Sequence, residues 1–227
     1  MTAFSFATVG FDLDGTLLDT TADLAAAVNH TLAAAGRPVL TLEQIRPMIG
    51  GGSRHMFAQA LAATGGVDED LLDALLPQLL AFYEDGIAVE TRPFPGCCDA
   101  LDALAARGVQ LAVVTNKLER LAVKVLDQLG LLARFATVIG GDTLGEGHGK
   151  PKPDLIQLMV ERCGGGSAAF VGDSIYDVMA AKAAGLPVVA CSFGISDQPV
   201  EALGADAVIG SYRELLPALD RLGGGRT

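Results

Sequence analysis

The chain has 227 residues, half of them hydrophobic, and a formal net charge of −11. That much apolar sequence can fill a large core, in one domain or two. The acidic balance argues against a nucleic-acid partner, which needs a basic face, and no apolar run approaches the ~20 residues needed to span a bilayer.

The N-terminal stretch MTAFSFATVGF lacks a basic segment followed by a long apolar run, so it reads as a first strand and not a leader. That strand is FATVGFD (6–12). It runs straight into two aspartates one residue apart, Asp12 and Asp14, followed by Gly15 and Thr16. Two like charges at a strand end raise the cost of ionising each other, so the rest of the chain must hold them there. Nearly a hundred residues then separate the first strand from the second, where a βαβ crossover needs only a dozen or more. The excess is helical in pattern. TADLAAAVNHTLAAAG reads as one helix capped by Thr20 or Thr21 and stopped by Gly36. TLEQIRPMIG opens with a Thr-x-x-Gln capping box. SRHMFAQALAATG and DEDLLDALLPQLLAFYEDG follow, with Pro77 predicting a kink or two short helices.

From there strands and helices alternate. The strands are QLAVVTN (110–116), ATVIGGD (136–142), AAFVGDS (168–174), PVVACS (187–192) and DAVIG (206–210). They are apolar throughout, without polar alternation, which predicts burial on both faces as in a parallel sheet. The expected fold is an α/β doubly wound, Rossmann-like parallel sheet with an inserted helical cap. The domain boundaries are 1–17 with 92–227 for the core and 18–91 for the cap. Cys97, Cys98, Cys163 and Cys191 show no C-x-x-C spacing and read as reduced thiols of a cytoplasmic protein.

Ligands of parallel α/β sheets sit beyond the carboxyl ends of the strands. Those ends carry Asp12 and Asp14, then Thr115 and Asn116, then Asp173 with Asp177 one helical turn later. Lys150 stands in GKPKPD before a helix start. Aspartates clustered without His or Cys imply a hard cation, and Mg²⁺ fits a set with few protein ligands and a phosphate co-ligand.

The four segments DLDGT, VVTN, KPKP and GDSIYD, in that order, resemble the motifs of the haloacid dehalogenase superfamily. Within it, FDLDGTLLDT, IGGGSR, RPFPG and VGDSIYDV most resemble phosphoglycolate phosphatases. The resemblance implies a phosphomonoesterase acting on a small phosphate ester, with 2-phosphoglycolate the expected substrate. It implies Asp12 as the nucleophile that forms an aspartyl-phosphate and Asp14 as the acid and base. Mg²⁺ would be held by the side chains of Asp12 and Asp173 and the carbonyl of Asp14, with Asp177 in support. The amides of Leu13, Asp14 and Gly15, together with Thr115 and Lys150, would hold the phosphoryl oxygens, with Asn116 also at the substrate. In the cap, Gly51, Gly52, Ser53 and Arg54 are the candidates for a substrate carboxylate, an anion that suits an Arg fork. Asp14 argues against a dehalogenase. Residues 18–91 contain no Lys, which argues against a phosphonatase. A sister phosphatase or mutase acting on sugar phosphates or pyrophosphate remains open, as does an inactive phosphate-binding module. Monomer and homodimer are both compatible with the sequence.

Overall fold

A computed structural model describes residues 4–195 and 198–224. It contains strands β1 (Thr8–Phe11), β2 (Leu18–Asp19) and β3 (Arg92–Pro93), with helices α1 (Thr21–Ala34), α2 (Leu42–Ile45), α3 (Ser53–Ala63) and α4 (Glu69–Asp85) between the last two. Then come α5 (Cys97–Ala105), β4 (Gln110–Val114), α6 (Glu119–Gln128), β5 (Thr137–Ile139), α7 (Asp154–Arg162) and β6 (Ala168–Gly172). The chain finishes with α8 (Ile175–Ala183), β7 (Val188–Cys191), β8 (Ala207–Ile209) and α9 (Leu215–Gly224).

Six strands form one parallel sheet in the order β5-β4-β1-β6-β7-β8. Both faces are buried. Along β4, Leu111 and Val113 join one apolar cluster while Ala112 and Val114 join the other. Along β6, Ala169 and Val171 face the first and Ala168 and Phe170 the second. Successive side chains of a strand point to opposite faces, so burial on both sides demands an unbroken apolar run. Gly10 on the central strand is required by packing. A Cβ there would stand 2.2 Å from Met159 Sδ of α7.

The helices of 21–85 pack on one another, α1 and α3 both lying against α4. The capping box forms as read, with Thr41 and Gln44 exchanging side-chain bonds to each other's backbone N–H. Two details differ from expectation. Thr20 occupies the N-cap position of α1 but makes no cap bond, because its hydroxyl donates to Asp14 instead. And α4 passes through Pro77 as a single helix, so of the kink or split expected there, the split into two short helices is not formed. Leu72, Leu75, Leu79 and Tyr83 are buried at helical spacing on both sides of the proline. Burying each large apolar side chain is worth ~1.5–3 kcal/mol, which together outweighs the ~3 kcal/mol proline penalty.

The chain leaves and re-enters the sheet region through β2 and β3, which pair antiparallel, Leu18 opposite Pro93 and Asp19 opposite Arg92. Asp23, buried in the first turn of α1, clamps the returning passage. Its carboxylate accepts from Glu90 N, from Thr91 N at 2.9 Å and from Thr91 Oγ1 at 2.7 Å. Replacing Asp23 by Ala leaves these donors without their acceptor. We expect Asp23→Ala to lower stability by about 2–3 kcal/mol, the range for stranding buried donors. Urea unfolding should show the midpoint fall with the slope unchanged.

Candidate active site

The strand order decides what meets. β1 is central, flanked by β4 and β6. Three neighbouring strands therefore deliver Asp12 and Asp14, Thr115, and Asp173 to one end of the sheet. Asp12, Thr115, Asp173, Asp177, Lys150 and Lys117 are all buried there.

Asp12, Asp173 and Asp177 each place a carboxylate oxygen within 4.8 Å of the others. Lys150 is the ammonium among them. Its Nζ donates to Asp177 Oδ1 at 2.6 Å and to Val114 O at 3.0 Å, and lies 2.8 Å from Asp12 Oδ1. Asp177 is fully used by the protein. Its other oxygen accepts from Asp173 N, Ser174 N and Ser174 Oγ, and so caps α8. Asp173 accepts from Thr16 Oγ1 at 2.8 Å and from Ile195 N at 2.7 Å. Gly15 makes this approach possible. Its φ is +88°, and a Cβ would stand 2.3 Å from Asp173 Oδ2.

Burial pushes the Asp12 carboxyl up to about 7 in spite of Lys150, with Asp177 and Asp14 adding to the rise. Burial, then Asp177 and Asp12, likewise hold Asp173 well above the ordinary carboxylate range. Burial is the main cause, and three buried carboxylates sharing one ammonium add to it. Asp12 Oδ1 sits off the hydrogen-bond direction of Lys150 and makes no hydrogen bond, although it is buried. A buried anionic oxygen without a hydrogen bond, beside Asp173 and with no His or Cys in the cluster, fits a hard divalent cation such as Mg²⁺.

Asp14 has a separate environment. Thr20 Oγ1 donates to it at 2.7 Å, and Lys117 Nζ donates to its two oxygens at 2.9 and 3.0 Å. The Lys117 ammonium also lies 4.6 Å from the ring centre of Tyr83, on α4. Asp12, Asp14, Thr115, Asn116 and Lys117 line a small pocket, closed from the other side by Leu24, Ile49, Gly50, Gly52, Ser53 and Met56.

Several expected site residues are placed differently. The Gly15 N–H donates to Leu18 O, because the chain folds back on itself after Asp14. It cannot join the Leu13 and Asp14 amides at a phosphoryl group. Asn116 lines the pocket, but its amide is committed to backbone. Nδ2 donates to Gly50 O and Lys150 O, and Oδ1 accepts from Lys150 N. Its work is to tie the cap loop and the Lys150 loop to β4. Arg54 is not brought to the aspartates. Its side chain is half exposed and ion-paired with Glu69 and Asp73. Together with Gly51 it lines an outer groove alongside Leu76, Leu80 and Glu146, whereas Gly52 and Ser53 border both spaces.

The structure adds Thr16, Thr20, Lys117 and Tyr83 to the predicted set. Lys117 follows the second motif, a position from which it can face the cap, and it meets Tyr83 of α4. Tyr83 carries no readable signal, because helix periodicity does not say what a cap helix meets on the core.

The family model for haloacid dehalogenase-like hydrolases matches residues 9–191. A phosphoglycolate phosphatase of Agrobacterium fabrum is 41% identical over 212 residues, covering 92% of this chain and 90% of that one. The crystal structure of a predicted phosphoglycolate phosphatase from Haemophilus somnus superposes with a TM-score of 0.88 at 29% identity, over 94% of this chain and 97% of its own. CbbY from Rhodobacter sphaeroides, solved in complex with phosphate, gives a TM-score of 0.79 at 25% identity over 95% and 99% of the two chains.

Asp173→Ala should weaken Mg²⁺ binding to the metal-free protein by at least about tenfold, the scale on which losses around a metal site are felt. Titration calorimetry reads this directly. An unchanged affinity would remove Asp173 from the ligand set.

Proposed function

The chain belongs to the haloacid dehalogenase-like hydrolase family, and from that premise we propose that it is a Mg²⁺-dependent phosphatase that cleaves 2-phosphoglycolate to glycolate and inorganic phosphate in the cytoplasm. The observation that carries this reading is Asp12 Oδ1, a buried oxygen with no hydrogen bond, in a pocket also lined by Asp14 and Thr115. Lys150 stands 2.8 Å from this oxygen and fixes the carboxylate, while the Asp12 residue as a whole borders the pocket. The 41% identical relative supports the substrate. Four free cysteines suit a reducing compartment.

In this mechanism one carboxylate oxygen of Asp12 attacks phosphorus and the ester P–O bond breaks. Asp14, across the pocket, gives a proton to the leaving alkoxide. The phosphoryl group now rests on Asp12 as an acyl phosphate, which divides one hard hydrolysis into two easier displacements. Asp14 then takes a proton from a water molecule. That water attacks phosphorus, releases phosphate and restores Asp12. Asp12 and Asp14 face the pocket from different surroundings: Asp12 stands in the acidic cluster that would take the cation and be held as a carboxylate by it, and Asp14 stands between Thr20 and Lys117. Thr115 and the amides of Leu13 and Asp14 hold the phosphoryl oxygens as charge shifts between them, while Lys150 holds Asp12 in place. Mg²⁺, held by Asp12, Asp173 and the Asp14 carbonyl, would offset the surplus negative charge and polarise the phosphoryl oxygens.

Asp177 acts one layer out, aiming Lys150 and capping α8. Residues 18–91 serve as a lid whose Gly52 and Ser53 border the pocket. Its apolar wall of Leu24, Ile49 and Met56 keeps water out and leaves room for a short leaving group.

Asp12→Asn should abolish turnover, since the amide cannot form the acyl phosphate. In a screen of phosphate esters, 2-phosphoglycolate should be preferred over hexose phosphates and pyrophosphate. EDTA should stop the reaction and added Mg²⁺ should restore it. Full activity in Asp12→Asn would sink the mechanism, and a preference for a hexose phosphate would move the substrate to a sister activity.

A further inference from the structure

The proposed substrate carries a second anion, a carboxylate one methylene away from the ester oxygen. In an acidic protein that anion needs a cation of its own, and four basic residues near the pocket can be compared. Lys150 is committed to Val114 O, Asp177 and Asp12. Arg54 is neutralised by Glu69 and Asp73, and Arg120 by Glu84. Lys117 is paired with Asp14, but alone of the four it is both buried and in the pocket wall. Its oxygen partners are the two oxygens of Asp14. Beyond them it meets the ring of Tyr83, a soft partner that leaves part of the ammonium's donor capacity unused.

Tyr83 supplies the second observation. It is 2% exposed, and its hydroxyl has no hydrogen-bond partner. Lys117 and Asp14 both lie within electrostatic reach of it. A buried hydroxyl that bonds to nothing is rare in a folded protein and points to a missing ligand. Two donors, one ammonium and one hydroxyl, match the two oxygens of a carboxylate.

The position is right for the chemistry. Asp14 protonates the leaving oxygen, so that oxygen must sit against the Asp14 carboxylate. Lys117 Nζ stands 2.9 and 3.0 Å from the same carboxylate. A carboxylate one methylene from the leaving oxygen is then within reach of Nζ. A bulkier alcohol would meet Leu24, Ile49 and Met56.

We propose that Lys117 from the core and the Tyr83 hydroxyl from α4 form the subsite for the leaving group's carboxylate, in place of Arg54. The inference rests on the substrate reading above. It makes recognition depend on both parts of the molecule, because Tyr83 reaches Lys117 only with the helical segment seated on the sheet. Lys117 selects for an anion close to the ester bond. Tyr83 adds a second contact and steadies the ammonium through its ring.

The test uses the full chain with Mg²⁺ and measures competition against an aryl phosphate that carries no second anion. The inhibition constants of 2-phosphoglycolate and of inorganic phosphate are compared in the wild type, Lys117→Met and Tyr83→Phe. Lys117→Met should raise the constant for 2-phosphoglycolate, relative to that for phosphate, by roughly 10- to 150-fold, the range of one charge-assisted hydrogen bond. Tyr83→Phe, which keeps the ring and is nearly isosteric, should raise the same ratio by roughly 3- to 10-fold, the size of one neutral hydrogen bond. If 2-phosphoglycolate is a substrate, the loss should appear in KM more than in kcat. An unchanged ratio in both variants overturns the subsite. A wild type that binds 2-phosphoglycolate in a Lys117-dependent way without preferring it as substrate would support the subsite and defeat the substrate reading instead.

Discussion

One ammonium among three buried carboxylates organises this molecule. Lys150 lies beside Asp12 and donates to Asp177, and Asp177 in turn accepts from the backbone that presents Asp173. Moving Lys150 would leave charge uncompensated at the ends of β1 and β6 together. Burying an unpaired carboxylate is costly enough that such a group gives up its charge instead, and Asp12 and Asp173 are already pushed in that direction. The surplus negative charge is a functional feature. It makes the cluster a place for a divalent cation and leaves one oxygen of Asp12 without a hydrogen bond.

The same economy of contacts explains how a helical segment far along the chain is held over that cluster. Asn116 follows β4, yet its amide reaches Gly50 on one side and the Lys150 backbone on the other. Arg46 donates to Gly194 O, next to Ile195, whose N–H holds Asp173. Tyr83 lies against Lys117, which is bonded to Asp14. Each of these links ends on a residue of the site or on its immediate neighbour. The seating of the helical segment on the sheet and the geometry of the site are therefore coupled through these contacts.

Much of the fold was readable in advance for a physical reason. Strands buried on both faces cannot tolerate polar residues, so all six announced themselves as apolar runs ending in polar or glycine residues. The capping box of α2 was readable because it is local, four residues long and specific in its donors. Pro77 was misleading because a local penalty was weighed without the apolar face that offsets it. Thr20 was misleading in a similar way. Its hydroxyl turns to donate to Asp14, a charged acceptor six residues away, and its oxygen accepts nothing from the first turn of α1.

The sequence by itself determined the class of fold, the family and which residues gather at one end of the sheet. Asp12, Asp14, Thr115, Lys150, Asp173 and Asp177 stand next to strand ends or a helix start, and strand order in a parallel sheet brings such ends together. Tertiary structure alone decided the rest. It directed Arg54 to a pair of surface carboxylates, used up the Asn116 amide and the Gly15 N–H in backbone bonds, and placed Lys117 and Tyr83 at Asp14. These outcomes depend on competition among polar partners distant in sequence. Periodicity reports which face a residue occupies. It carries no information about which of several donors or acceptors on that face is nearest once the helices have seated on the sheet.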